Sequence, residues 1–289
     1  MALPLSEEES PETPLGDSRK IESLEVDLLL TGIAKQYGYD FRNYARSSLT
    51  RRIRRAVHEE GLSTISALQD RVLHDPVAMS RLVEAIAVHT TNMFRDADVH
   101  RAIRAEVVPI LRTYPFVRIW HAGCSSGEEV YSLAIALHEE GIYDRCRIYA
   151  TDISDRILDR ARLGIFPLRA MREYTANYQS AGGTHDFSAY YSADAENVVF
   201  RQFLRKNLIF SQHNLVCDAA FNEFQLILCR NVVIYFDQVL RARVHELMHA
   251  SLAKLGLLVL GKRESIRFTR VEPFYQELVP NLRIYRRMQ

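Results

Sequence analysis

Closely spaced cysteines are missing from this chain. Only four of its 289 residues are cysteine, Cys124, Cys146, Cys217 and Cys229. None stand at the spacing of a zinc site or a disulfide framework, so reduced thiols and no metal are expected. Long apolar runs are missing too. No stretch approaches the ~20 residues needed to cross a bilayer, and the N-terminus carries no basic-then-apolar signal, so the expected compartment is the cytoplasm. A strong charge of either sign is absent: the formal net charge is +1, which gives no reason to expect a nucleic-acid partner. The globular part shows no internal repeat and no low-complexity tract. What remains, 47% apolar and 25% charged residues, is the composition of a soluble globular protein. The length allows two domains and a large core.

Residues 1–20 hold Glu7, Glu8, Glu9 and Glu12 with Pro4, Pro11 and Pro14, a composition expected to stay disordered. From 21 to 90 the apolar pattern is helical, through Leu24, Leu28 and Leu29, then Leu49, Ile53 and Val57, then Leu82, Val83 and Ile86. Asp75-Pro76 reads as a helix start, cap followed by first-turn proline. One of these helices has Leu49, Ile53, Ala56 and Val57 on one side and Arg51, Arg54, Arg55 and His58 on the other, with Arg52 flanking. With no neighbouring acid to pair with, this face reads either as solvated or, preferred here, as a surface that docks an acidic partner.

The stretch Val117–Ala136 carries the chemistry. Val117-Arg118-Ile119-Trp120 reads as a strand, Gly123 and Gly127 as a turn, and Val130, Tyr131, Leu133, Ala134 and Leu137 as a helix. Ser125 and Ser126 can cap that helix. No Lys-Ser/Thr follows the glycines, which excludes a phosphate-cradling P-loop, and the third glycine of a dinucleotide fingerprint is absent. Glu128 and Glu129 would repel a pyrophosphate and attract an ammonium or sulfonium. One helix later, Asp152 ends the strand Arg147–Thr151, where a carboxylate can take both hydroxyls of a ribose. Glycine loop, acidic pair and ribose carboxylate together suggest S-adenosylmethionine. Taken alone, the loop could also be an ordinary strand-to-helix turn.

Residues 91–289 alternate between strand and helix. Strands are expected near 117–121, 147–151, 207–213, 224–229 and 257–260, and helices at 126–139, 154–162 and about 238–254, the last closed by Gly256. Such alternation implies a parallel sheet covered on both faces, with ligands at the C-terminal strand ends. Before the first strand, Asp96 is placed to cap a helix bearing Val99, Ile103 and Val107, and Pro109 to bend or end it. Residues 165–205, with Tyr174, Tyr178, Tyr190 and Tyr191 and the pair Gly182-Gly183, interrupt the alternation as an insertion.

Six blocks in order carry a family resemblance. They are Thr91-x-x-Phe94-Arg95-Asp96, Ala122-Gly123-Cys124-Ser125-Ser126-Gly127-Glu128-Glu129-x-Tyr131-Ser132, Ala150-Thr151-Asp152-Ile153, His213-Asn214-Leu215, Cys229-Arg230-Asn231 running to Asp237, and Leu260-Gly261-x-x-Glu264-Ser265. From about Ser23 onward the chain resembles the CheR-type chemoreceptor methyltransferases. Met93, His89 and the pair Lys262-Arg263 depart from the family pattern.

The resemblance implies an α/β fold: a helical N-terminal domain, a Rossmann-like S-adenosylmethionine-dependent methyltransferase domain, and a small antiparallel β-subdomain inserted at 165–205. It implies methyl transfer to glutamate side chains of a chemoreceptor or related signalling protein. Arg95 and Tyr235 are the implied catalytic residues. His89, Thr91, Arg95, Gly123, Glu128, Glu129, Asp152, Asn214, Leu215, Arg230 and Asn231 are implied at the cofactor, yielding S-adenosylhomocysteine. Arg51, Arg52, Arg54 and Arg55 would dock the receptor. The implied partner is a methyl-accepting receptor met at the membrane only through that receptor, by a monomeric enzyme. Two alternatives stay open: a non-catalytic regulator that binds cofactor or receptor, and a methyltransferase for another protein target. A nucleic-acid methyltransferase fits less well, since neither an Asn/Asp-Pro-Pro-aromatic motif nor a Pro-Cys nucleophile is present.

Overall fold

Apolar residues three and four apart build the first domain. In the computed structural model, which describes residues 15–87 and 91–289, four helices come first: α1 (Leu15–Tyr37), α2 (Arg46–Glu59), α3 (Ile65–His74) and α4 (Pro76–Ile86). Val26, Leu29, Leu30 and Ile33 of α1 pack on Leu49, Ile53 and Ala56 of α2, and on Leu68, Val72, Leu82 and Val83. Leu24 and Leu28, which the sequence pattern places on the apolar face, are instead exposed. Residues 15–20, expected to be disordered, begin α1, while 1–14 lie outside the described residues. Thr64 accepts from the N–H of Ala67 at 3.0 Å, and Asp75 from that of Val77 at 2.8 Å ahead of first-turn Pro76. These caps satisfy free N–H groups and fix where α3 and α4 start.

The second domain opens with α5 (Ala97–Ala102), a π-helical turn at Ile103–Val107 and α6 (Val108–Leu111). Pro109 has no N–H to give the ladder. The helix accommodates it by widening one turn ahead, where the N–H of Val108 reaches Ile103. There follow β1 (Val117–Ala122), α7 (Glu128–Glu139), β2 (Cys146–Asp152), α8 (Asp155–Leu163), β3 (Ile165–Pro167), α9 (Met171–Ser180), β4 (Tyr191–Ala193), β5 (Asn197–Phe200), α10 (Gln202–Arg205), β6 (Leu208–Gln212), β7 (Phe224–Cys229), α11 (Gln238–Ser251), β8 (Leu252–Leu260), β9 (Tyr275–Val279) and β10 (Ile284–Arg287).

The main sheet runs in the order β6-β2-β1-β7-β8-β10-β9. The first five strands in that order are parallel, and β10 and β9 extend the sheet in antiparallel pairs. Val117 and Ile119 of β1 belong to the core on one face, Trp120 and Ala122 to the core on the other. A strand covered on both sides reads as a continuous apolar run, so β1 was legible. The five strands expected from the alternation are parallel as expected; the antiparallel pair β10 and β9 was not expected and makes the sheet mixed. The expected end of α11 is corrected. The helix stops at Ser251 and Gly256 lies within β8, beside Leu255 at φ 64°, where the register against β7 shifts. This is a bulge, and glycine is needed there because a Cβ would meet the Ala253 carbonyl at 2.8 Å.

Within the insertion, β3, β5 and β4 form a three-stranded antiparallel sheet. Its tyrosines are core residues. Tyr178 and Tyr190 bury their rings and donate their hydroxyls to Glu139 of α7, which Arg104 also meets. Glu139 thus ties the insertion to α7, beside bonds from Arg101 to the Ser180 carbonyl and from Asn177 to the Met93 carbonyl.

Candidate active site

The chain turns sharply where β1 ends. Gly123 has φ 72°, and a Cβ there would lie 2.4 Å from Val232, so only glycine lets this loop close on the segment after β7. The N–H groups of Gly123 and Cys124 donate to the Thr151 carbonyl at 2.8 and 2.9 Å. Asp152, at the end of β2, is buried and accepts from the N–H of Ser125 at 2.9 Å and of Ser154 at 3.2 Å. One carboxylate therefore fixes both loops. The serines do not cap α7 as expected. Gly127, at φ 94°, occupies that position without a side-chain bond, and the Ser126 hydroxyl goes to Glu128 at 2.6 Å.

Where strand order reverses, beside the C-terminal end of β1, lies a cavity open to solvent. The position is where open α/β sheets bind their ligands. Gly123, Ser125, Asp152, His213, Asn214, Leu215 and Tyr235 line it from the sheet domain, and Tyr44, Arg52, Ile86 and Ala87 from the helical domain. Ser125 Oγ and His213 Nδ1 are buried there with no hydrogen-bond partner among the described residues. Buried polar atoms are normally satisfied, so these fit a polar ligand.

Arg52 stands 4.8 Å over the Tyr235 ring and donates to the Ile86 carbonyl and Ser48. Burial pulls its pKa down, and burial pushes that of the Tyr44 phenol up. Ala45 donates its N–H to the Tyr235 carbonyl at 2.8 Å and Asp237 to that of Asn43 at 2.9 Å. The helical domain thereby holds the Tyr235 segment from above.

Of the residues singled out in the sequence, Gly123, Asp152, Asn214, Leu215 and Tyr235 share this cavity. Thr91, Arg95, Glu128, Glu129, Arg230 and Asn231 do not line it, and His89 lies outside the described residues. Glu129, one of the two acids expected to attract an ammonium, pairs with the fully buried Arg230, which also meets Asp96 at 2.6 Å and the Arg95 carbonyl at 3.3 Å. Asp96 consequently makes no side-chain cap. His121 lies 3.6 Å from Glu129. Burial, aided by Arg230, pulls its pKa down to about 3, so it is neutral at pH 7. Glu128 has no cation partner among the described residues, and burial pushes its carboxyl pKa up. It is the acid of the pair left available.

Glu264, in the last of the six sequence blocks, carries a role that its sequence position does not show. It is buried and accepts from the N–H groups of Asn231 at 2.9 Å, Gly261 at 2.6 Å, Val232 at 2.8 Å and Ile234 at 3.3 Å. A Cβ on Gly261 would sit 2.6 Å from that carboxylate, so the glycine and the acid belong together. Asn231 is held at φ 60°. The wall residues Tyr44, Ile86 and Ala87 left no mark in the sequence, since each looks like ordinary helical-domain core.

The arginine face of α2 is also revised. Arg54 pairs with Glu22 of α1, and Arg55 with Glu59 one turn on at 2.7 Å, so acids do accompany the run. Arg52 turns into the cavity. Arg51 remains exposed.

Comparison with known proteins settles the family. Residues 89–279 match the description "CheR methyltransferase, SAM binding domain", and residues 24–87 match "CheR methyltransferase, all-alpha domain". The chain belongs to the CheR methyltransferase family. A Pseudomonas putida protein named for methyltransferase activity, Cher3, is 47% identical over 93% of this chain and 99% of its own length. A Listeria monocytogenes chemotaxis protein methyltransferase is 29% identical, covering 85% and 92% respectively. Chemotaxis protein methyltransferase 2 of Pseudomonas aeruginosa is 33% identical, covering 66% and 68%. This CheR protein is an S-adenosylmethionine-dependent methyltransferase of the class that esterifies glutamate side chains of methyl-accepting receptors. No helix among the described residues is long and apolar enough to cross a membrane, and these residues hold no metal-ligating cluster.

Proposed function

We propose that this CheR protein works in the cytoplasm, as a monomer, on glutamates of a membrane-anchored receptor, with the cleft between its two domains as the reaction site. The single observation that supports this is the cavity whose walls join Asp152, Asn214 and Tyr235 to Tyr44 and Arg52. S-adenosylmethionine, when bound, supplies an electrophilic methyl group on a sulfonium. In this reading Asp152 accepts from the ribose hydroxyls, Asn214 and Leu215 hold the adenine side, and Glu128 takes the ammonium. Tyr235 forms the wall beside the reacting groups. Arg95 steadies a carboxylate at the mouth, its backbone anchored by Arg230. Thr91 completes the linker side, and Glu129 with Arg230 and Asn231 supports the floor.

A glutamate with an ordinary pKa near 4.3 is already an anion at pH 7, so the nucleophile needs no base. The protein's work is to align the carboxylate and to exclude water. Arg51, Arg54 and Arg55 would face the acidic receptor, with Arg52 reassigned to the cleft. Labelled cofactor incubated with membranes of the source cell should give label that mild base releases, as a carboxyl methyl ester must. Base-stable label would refute the reading in favour of nitrogen methylation.

A further inference from the structure

The turn after β8 departs from the family pattern in the sequence, and the function above leaves it unused. Between Gly261 and Arg270 stand Lys262, Arg263, Arg267 and Arg270, with Glu264 as the one acid. Glu264 faces inward, its charge spent on backbone N–H groups. Lys262 reaches Asp98 at 2.7 Å and Arg267 reaches Glu277 at 3.5 Å. Arg263 and Arg270 are exposed and form no ion pair among the described residues. At the tip is Phe268, 95% exposed.

An isolated exposed aromatic needs no explanation by itself. This one sits at φ 64°, a left-handed conformation costly for a bulky aromatic residue, and the fold pins it there. Glu272 accepts its N–H at 2.6 Å, Ser265 that of Arg267 at 3.1 Å, and the Ile266 carbonyl that of Thr269 at 3.1 Å. Ile266 is buried in the same apolar cluster that Val232 and Tyr235 pack against. The loop is therefore built, and it is built onto the wall of the cleft. Backbone strain held by its surroundings points toward a use.

We propose that the loop 262–270 is a second receptor-docking surface: Arg263 and Arg270 meet acidic side chains flanking the target glutamate, and the Phe268 ring meets an apolar residue of the same helical segment. A basic loop with a protruding aromatic would also suit an anionic bilayer. The receptor is favoured because Glu264 ties this loop to Asn231, Val232 and Ile234, so its partner is whatever brings a carboxylate to Tyr235. The proposal rests on the receptor reading above.

The test uses the full-length enzyme and the soluble cytoplasmic fragment of whichever receptor is labelled in the membrane assay. In an Arg263→Glu/Arg270→Glu variant, KM for the fragment should rise on the order of tenfold with kcat nearly kept, because exposed charges at an interface rim act mainly on encounter. Phe268→Gly should raise KM severalfold, while its melting temperature holds or rises because glycine relieves the left-handed residue. Cofactor affinity, read by calorimetry, should be unchanged in both. Wild-type KM in both variants overturns the proposal. So does wild-type KM joined to lost binding of phosphatidylglycerol vesicles, which would assign the loop to the membrane. A wild-type enzyme that labels neither membranes nor fragment removes the receptor reading, and this proposal with it.

Discussion

Asp152 organises the cofactor side of the cleft before any ligand arrives. Its carboxylate already accepts two backbone N–H groups, from Ser125 and Ser154, and it has further lone pairs for a ribose. Asp152→Ala should weaken binding of S-adenosylmethionine by about 1.5–3 kcal/mol, the range for charge-assisted hydrogen bonds. Calorimetry that returns wild-type affinity would remove Asp152 from the site. Glu264 acts differently, because it touches the loop and not the cavity. A glutamine there has one oxygen for the four N–H groups that the carboxylate serves. Glu264→Gln should therefore lower both the melting temperature and kcat, whereas Tyr235→Phe should lower turnover alone. A Tyr235→Phe variant that melts early yet turns over normally once folded would make Tyr235 structural. The residues that could be read in advance were those at strand ends, where chain order and chemistry coincide: Gly123, Asp152 and Asn214. The sequence left either Glu128 or Glu129 for the ammonium, because the cation that meets Glu129, Arg230, stands far along the chain, just after β7. Two adjacent acids look alike in sequence, and only the tertiary partner separates the neutralised one from Glu128.

At the level of elements, the same contrast appears in the helices. The buried stripe of α2 was legible because its apolar residues recur at helical spacing, and the direction in which Arg52 points was not, because it depends on Tyr235 across a domain boundary. The antiparallel strands β9 and β10 were missed since Gln276 and Glu277 in one, and Arg286 and Arg287 in the other, leave no continuous apolar run. The insertion was visible as an interruption, but its anchor was not. That anchor is Glu139, buried against Tyr178, Tyr190 and Arg104. Burial alone would raise its pKa; the two phenols and the guanidinium outweigh this and hold it below the ordinary 4.5. A carboxyl whose folded pKa is depressed stabilises the fold above its unfolded value, and that contribution is lost as pH falls through the folded one. The insertion should accordingly loosen below about pH 4.5, as hydrogen exchange in α9 would report. Glu139→Gln should cost up to about 3–5 kcal/mol at neutral pH, softened because Arg104 keeps Glu140 at 3.4 Å. A variant with unchanged stability at pH 7 and the same acid profile as wild type would rule out the anchor.

Across the whole molecule, the two domains share one site. Tyr44, Arg52, Ile86 and Ala87 close a cavity whose floor is the sheet domain, and the backbone bonds Ala45 to Tyr235 and Asp237 to Asn43 carry the connection on both sides of Phe236. A ligand seated there touches both domains, so its binding energy stabilises both at once. At a free concentration one hundred times its dissociation constant, S-adenosylhomocysteine should add about 2.7 kcal/mol to unfolding. For a chain of this size that corresponds to roughly 5–10 °C in melting temperature. The whole chain should move as one transition, because the helical domain cannot leave without opening the cavity. Arg52→Ala should keep the ligand-free melting temperature within a few degrees and shrink the ligand-induced shift, since it removes a wall group and the cover over Tyr235 while sparing the apolar core of α2. Calorimetric scans with two separate transitions, only the sheet domain responding to ligand, would show that the helical domain forms no part of the cofactor site.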